Sequence, residues 1–309
     1  MFETLKNVFR VKEMRRKLLY LIWMIFIIRI GCQIPVPGVD SDFFKQWFSS
    51  NAGDAFNFFD AFTGGSFERM SIFALNITPY ITSSIIIQLL TIAIPALEEM
   101  QRDGEEGRKK MTAITRYVTV GLALFESIAM AIGFGRQGMI PNLDFFKGVV
   151  VVACLTAGSA MLMWLGERIT EKGVGNGISI VLTINIISRV PSDLTLLYEN
   201  FIKGKTIAKG TLAGLIIAAV ILLVVVLVLI LNGAERRIPV QYSKKMVGRK
   251  LMGGQSTNIP LKVNTAGVIP VIFASSIMSF PAVIAQLTGK GNGTGIGSEI
   301  LRGLSSNNW

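Results

Sequence analysis

Two ionisable side chains stand inside long apolar runs and are the first candidates for chemistry. Arg29 interrupts LLYLIWMIFIIRIGCQI (residues 18–34), and Glu126 lies near the middle of the apolar run 117–134. A charge at membrane depth is costly enough to mark an ion path, a proton site or a structural partner. Arg29 sits near the end of its run, where it can snorkel or meet an acidic partner. Glu126 reads as a proton or ion site, or as a neutral or hydrogen-bonded carboxyl at a helix contact. Other chemistry is thinly supplied. The chain has no His, which removes the usual general base, the commonest metal ligand and triads built on imidazole. Cys32 and Cys154 lie in apolar surroundings without CxxC or zinc spacing, so neither a disulfide framework nor a metal site is expected. GVGNG (173–177) has the glycine density of a phosphate loop, but no strand precedes it and no Lys-Ser/Thr follows. It reads as a tight turn onto a helix N-terminus. No catalytic constellation or cofactor site emerges, and the chain is not expected to be an enzyme.

The elements that would position these residues are membrane spans. The composition is 51% hydrophobic and 17% charged, with the apolar residues in long uncharged blocks, as in an integral membrane protein. Seven spans are expected, at 18–34, 71–97, 117–134, 148–165, 178–187, 211–231 and 263–287, making an all-α polytopic fold. Ala153, Ala157, Gly158 and Ala160 should let the fourth pack closely, and the sixth, the most uniformly apolar, should face lipid. Residues 1–17 form a basic amphipathic lead-in without the pattern of a cleaved signal peptide. IPVPG (34–38) should stop the first helix. DAFNFFDAF (54–62) reads as a Phe-rich half-helix, too short to span, before the Gly64-Gly65 hinge. Residues 98–116 read as a charged loop and 189–210 as a long connection. The basic segment 233–262 suggests two short strands with a turn near 243–248, and a Gly-rich polar tail fills 288–309. Lys and Arg number 20 on the side of the N-terminus and 10 on the opposite side, so the N-terminus is expected in the cytoplasm. That bias also accounts for the net charge of +11 without nucleic acid.

The second span is unusual. From residue 70 to 97 it has no charge, yet Pro79, Thr78, Thr82, Ser83, Ser84 and Gln88 break the apolar run. Ile77, Ile81, Ser84, Ile85 and Gln88 recur at helical spacing as one stripe that should face protein or water. With Pro79 laid on Pro270, ITPYITSS matches VIPVIFAS, with Ile81 on Ile272 and Ser84 on Ser275. Two proline-broken helices in corresponding places suggest a repeated membrane architecture with a substrate path at the repeat interface.

IPVPG, the GGS and SIFALNITPYITSSIIIQLL block, MWLGERITEKGVGNGISI and QSTNIPLKVNTAGVIPVIFASSI, in that order, resemble the SecY family of channel subunits of the bacterial Sec translocase. The likeness runs from about Arg10 to Leu287 and covers seven of the family's ten spans. It implies a first pseudo-symmetric half at 18–187 containing the plug at 54–65, an external connection at 188–210, the start of the second half at 211–287 with its cytosolic loop at 233–262, and an external tail at 288–309. It also implies residue roles. The pore ring falls on Ile77, Ile81, Ile178, Leu182 and Ile272; the plug and hinge on Phe56, Phe58, Phe59, Phe62, Gly64 and Gly65; the lateral gate on Thr82, Gln88, Ile277 and Phe280. Ribosome or SecA contacts fall on Arg236, Arg237, Lys244, Lys245, Arg249 and Lys250. The implied partners are SecE and SecG, the SecA ATPase, the ribosome through rRNA phosphates, unfolded preproteins with their signal peptides, and lipids of the bacterial plasma membrane. No cofactor is implied. A secondary transporter with a midplane site is the rival reading, and it would need Glu126 or Arg29 to couple ions.

Overall fold

The computed structural model describes residues 10–51, 60–136, 144–201 and 207–240, the short runs 245–247, 250–252 and 257–265, and residues 138, 140, 203, 267 and 274. These form two compact units, one ending at Pro191 and the other beginning at Ser192.

In the first unit, α1 (Lys12–Gly31) is apolar on all sides from Leu18, with Leu19, Ile22, Trp23 and Phe26 exposed as lipid-facing residues would be. Only Ile28 and Gly31 are buried. A Cβ at Gly31 would lie 2.0 Å from the Phe73 ring, so glycine is what admits that ring. The IPVPG turn ends the helix and adds a contact that the proline pattern does not announce. Val36 N donates to Met70 O at 3.0 Å and Ile72 N to Ile34 O at 3.0 Å, an antiparallel bridge that fixes the start of the second span against the end of the first.

α2 (Ser41–Asn51) follows the IPVPG turn. Asp40 caps it, its Oδ1 accepting from the backbone N of Asp42 at 3.1 Å and of Phe43 at 3.2 Å. Phe44 then packs edge-on against Phe134 and Phe67, with ring centroids 5.0 and 5.9 Å away, in a core shared with Val36, Met70, Leu75, Val151 and Leu155.

The second span differs from its sequence reading. Residues 64–77 are a chain of buried turns, with Met70 (φ 47°) and Asn76 (φ 53°) in the left-handed region. The helix α3 begins only at Thr78 and runs to Ala93. Pro79 is therefore no mid-span break. It stands in the first turn, where its missing N–H has no intrahelical acceptor to lose. Ile94 is extended, and α4 (Pro95–Arg102) leaves at 104° to α3. The expected charged loop 98–116 is helical too: α5 (Gly104–Arg136) starts two residues later. Glu-to-Lys pairs four residues apart, such as Glu105 with Lys109, support its exposed first turns.

The buried residues of α3, Pro79, Ser83, Ile87 and Thr91, lie on one face. On α5, Thr115, Thr119, Ala123 and Ser127 are buried likewise. Ser83, Thr91, Thr115, Thr119 and Ser127 each donate to the carbonyl four residues back, so small hydroxyl side chains are buried without an unpaired proton. The Ile81–Ile85–Gln88 stripe lies about a third of a turn away from that face and stays half-buried or exposed.

α6 (Phe145–Lys172) is capped by Asp144, which accepts from Phe145 N. It packs through Gly158 and Ser159 rather than Ala153 or Ala157, which are exposed. A Cβ on Gly158 would lie 2.0 Å from Ile72 O. GVGNG is the tight turn expected of it. Gly177 N donates to Thr170 Oγ1 at 2.8 Å, and a Cβ at Gly177 would lie 2.0 Å from Gly166 O. α7 (Gly177–Phe201) then runs through Pro191, so the connection expected from 189 begins as helix.

The second unit carries α8 (Ile207–Gly233), whose most apolar stretch, within Gly210–Gly233, has no buried residue, as a lipid-facing helix would. β1 (Glu235–Val240) pairs antiparallel with β4 (Thr257–Lys262), and β2 (Lys245–Val247) with β3 (Lys250–Met252). The expected turn near 243–248 gives way to strand at 245–247, and the reversal falls between Val247 and Lys250, which are paired. Four of the described helices are long and apolar enough to cross a membrane, five if α3 with α4 counts as one span. α1 carries Arg15, Arg16, Lys17 and Arg29 and is apolar only from 18 to 31. Nearly all of the expected seventh span lies outside the described residues, as do residues 1–9 and the tail from 288.

Candidate functional site: the α3–α7 junction and its buried polar clamp

Of the expected ring residues, Ile77 is fully buried, among Ile28, Phe73, Leu162, Ile169 and Val181. Ile81 and Ile178 are half-buried against the same cluster, and Leu182, one turn beyond Ile178 on α7, is half-buried as well. Ile272 lies outside the described residues. Of the four described, Ile178 lines a cavity of about 470 Å³, together with Tyr80, Arg116, Glu167, Thr170 and Asn176. Arg116 Nε donates to Glu167 Oε1 at 2.9 Å across its wall, tying α5 to α6. The surface there is thus apolar at Ile178 and polar around it.

Of the gate residues, Thr82 is half-buried and donates to Thr78 O at 3.1 Å, and Gln88 is exposed; Ile277 and Phe280 lie outside the described residues. Of the plug residues, Phe56, Phe58 and Phe59 lie outside them, while Phe62 is half-buried just ahead of the glycine pair. Gly64 and Gly65 take φ of 67° and 81°, a conformation open to glycine at no steric cost. Gly64 is not a free pivot. A Cβ there would lie 2.6 Å from Asn185 O and 3.0 Å from Ser188 Oγ, so the turn is pressed onto α7.

Around that contact is a polar clamp that the sequence reading does not contain. Arg29 Nη2 donates to Ile184 O at 2.7 Å and to Asn185 Oδ1 at 2.8 Å. Asn185 Nδ2 donates to Asn76 Oδ1 at 2.9 Å, and Asn76 Nδ2 to Phe62 O at 2.8 Å. Asp60, fully buried, pairs with Arg189; its Oδ1 accepts from Glu68 N at 3.0 Å and Thr63 Oγ1 at 3.1 Å. Arg29 therefore meets a carbonyl and an amide, not the acidic partner considered from sequence. Asn76 is also the first residue of a glycosylation triplet, and its burial leaves its amide no access. Glu126 is half-buried on α5. Both cysteines are free, and no metal-binding group of His, Cys, Asp or Glu occurs among the described residues.

On the hairpin, Arg236 faces Leu261 and Arg237 faces Pro260 across β1 and β4, and both arginines are exposed. Lys245 and Lys250 lie in β2 and β3; Lys244 and Arg249 lie outside the described residues.

The sequence profile of the SecY family matches residues 71–307. The chain belongs to the SecY family. Its SecY relatives include the protein translocase subunit SecY of Halalkalibacterium halodurans, 44% identical over 94% of this chain and 68% of the relative. That of Escherichia coli is 43% identical over 91% of this chain and 64% of the relative. Among solved structures, a protein-conducting channel aligns with a TM-score of 0.57 at 19% identity, covering 89% of this chain and 59% of that one. Sec61 in the canine ribosome–channel complex from the endoplasmic reticulum aligns with a TM-score of 0.55 at 18% identity, covering 89% and 59%. At such identities the structural likeness establishes the fold, and the chain spans 59% of the length of these solved channels. It is a multi-pass membrane protein with the SecY fold. In this SecY chain the clamp residues Asp60, Asn76, Asn185 and Arg189 escaped sequence reasoning; the one available signal was Arg29, a charge in an apolar run that required some partner.

Proposed function

We propose that this chain forms part of the pore of a protein-conducting channel, which passes unfolded, signal-bearing polypeptides across the bacterial plasma membrane and releases transmembrane helices sideways into lipid. Membership of the SecY family supports the class of activity. The observation that carries the site is the arrangement of Ile81 and Ile178, half-buried on one cluster, with Ile178 on the wall of the cavity between α3, α5, α6 and α7. With Ile77 behind them and Leu182 and Ile272 completing the set, they form a narrow aliphatic collar. Such a collar dewets and blocks ions at rest, and its flexible side chains close around an extended chain without reading its sequence.

The Phe-rich segment ahead of Gly64-Gly65 is the plug of the outer funnel. The polar face of α3, with Thr82 and Gln88, meets the seventh span near Ile277 and Phe280, where weak packing lets a signal sequence part the two helices. The basic hairpin, with Arg236, Arg237, Lys244, Lys245, Arg249 and Lys250, docks the ribosome through rRNA phosphates or the SecA motor, and SecE and SecG complete the complex. The chain itself catalyses no reaction; a partner ATPase or translation supplies the energy. A transporter coupled through Arg29 is disfavoured, because that guanidinium is committed to Ile184 O and Asn185 Oδ1.

The test is the resting conductance of the reconstituted channel after Ile81, Ile178 and Ile272 are replaced together by Gly. The collar predicts an ion leak in the triple variant; conductance equal to wild type removes these residues from the seal.

A further inference from the structure

The helices α5 and α6 run antiparallel, with two side-chain bonds set at equal steps along both chains. Thr156 Oγ1 donates to Ser127 Oγ at 3.1 Å, and Arg116 Nε to Glu167 Oε1 at 2.9 Å. This register fixes where the pair sits in a membrane. From Arg116 to Arg136 α5 rises about 30 Å with Glu126 as the one charge between them, and α6 carries none between Lys147 and Glu167. That rise matches the hydrocarbon thickness of a bilayer. Tyr117 and Trp164 stand exposed just inside the Arg116–Glu167 pair, where amphipathic rings gather at a membrane interface. Beyond that edge the exposed flank of α6 turns basic. The Arg168 guanidinium lies over the Trp164 ring, 5.5 Å from its centroid, and Lys172 is exposed one turn further out. Arg168 Nη1 donates to Glu171 Oε2 at 3.0 Å, in a pair whose side chains are 39% and 56% exposed. Arg168 Nε and Nη2 have no acceptor among the described residues. Toward the membrane centre the flank continues through exposed Met161.

We propose that Trp164, Arg168 and Lys172 form a binding site for an anionic phospholipid of the leaflet at this end of α6, with the headgroup phosphate on the two cations and the acyl chains along Met161. Stacking on Trp164 restrains the guanidinium at headgroup depth. Its Nε and Nη2 are the two N–H groups of one side-on fork, the arrangement that binds a phosphate through paired hydrogen bonds. Glu171 competes for this cation, but an ion pair so exposed contributes little, and a phosphate can displace it. A free phosphate has no acyl chain to lay along Met161, which commits the site to lipid. Each cation near a membrane surface strengthens the hold on an anionic lipid about fivefold.

The test uses the full-length protein with its partner subunits, in nanodiscs of phosphatidylcholine holding a minor share of phosphatidylglycerol with a photoreactive acyl chain. The site predicts adducts on α6 around Met161 and Trp164, their yield lowered about fivefold by Arg168→Gln or Lys172→Gln and further by both together. Glu171→Gln should raise the yield, because it removes the competing carboxylate; a cation held only for its ion pair would show no such gain. Labelling by a photoreactive phosphatidylcholine should not depend on these substitutions, and free glycerol phosphate should not compete. Equal phosphatidylglycerol yields in the wild type and the folded double variant overturn the site. Competition by glycerol phosphate overturns lipid as its occupant. Adducts that form only once the partner subunits are removed do the same, since a protein then covers this face.

Discussion

Arg29 on α1 and Asn185 on α7 are joined by a hydrogen bond of 2.8 Å from guanidinium Nη2 to amide Oδ1. Through this one contact the first span, the turn before α3 and the fifth span are held together, because Asn185 passes the link on to Asn76. The amides of Asn76 and Asn185 and Nη2 of Arg29 satisfy one another, while Arg29 Nε is buried without a hydrogen-bond partner.

Arg29→Met keeps the apolar stem and removes the donors. It should lower stability by about 1.5–3 kcal/mol, the range for hydrogen bonds to a charged group, with Asn185→Ala producing a loss of similar size. Thermal unfolding of the purified protein in detergent measures both, and the double variant should fall short of the sum of the singles. Strict additivity would mean that the two residues act separately.

Gly158 and Gly121 offer a matched pair of substitutions on neighbouring helices. At Gly158 a Cβ would lie 2.0 Å from Ile72 O, whereas at Gly121 nothing lies within 4 Å. Gly158→Ala should therefore cost about 1–3 kcal/mol through overpacking, while Gly121→Ala should be neutral or stabilise by about 0.5 kcal/mol through helix propensity. Comparison of unfolding midpoints decides it; equal effects would mean that α6 does not approach residue 72 as described.

The ion pairs of α4 and the first turns of α5 should matter little. Arg102–Glu98 and Lys109–Glu105 have side chains at least half exposed, and such pairs contribute about 0.2–1 kcal/mol, less in salt. Glu98→Gln or Glu105→Gln should leave the unfolding midpoint nearly unchanged in 0.15 M salt. A large loss from either would indicate a partner beyond this chain.

Arg236 and Arg237 lie on the exposed β1–β4 ribbon. Replacing both with Glu should weaken ribosome co-sedimentation and lower the slope of log affinity against log salt by about one for each phosphate no longer neutralised. An unchanged slope would assign their charge to membrane orientation alone.

Much of the architecture is legible in the sequence because it follows from local rules. Uncharged runs set the membrane helices, GVGNG marks the turn into α7, and IPVPG ends α1. The misreadings also have local causes. Pro79 breaks a helix only in its interior, and no feature of TPYITSS says on which side of the proline the helix begins; the answer came from tertiary turns at 64–77. The charge of 98–116 suggests a loop, but Glu and Lys four residues apart favour helix, as Glu105 with Lys109 and Glu199 with Lys203 show. The collar positions came from family resemblance. The clamp came from neither source, since a single Asn or Asp in an apolar stretch announces the need for a partner without naming it. Asp60 and Arg189 are brought together only by the fold.

The most direct test of the channel account is site-specific cross-linking in membranes. A photoreactive residue is placed at Ile81, at Ile178 or at the lipid-facing control Leu222 while a secretory polypeptide is stalled in transit. Passage through the α3–α7 junction predicts adducts to the stalled chain from Ile81 and Ile178 and none from Leu222. Adducts absent at Ile81 and Ile178 while translocation proceeds would contradict it.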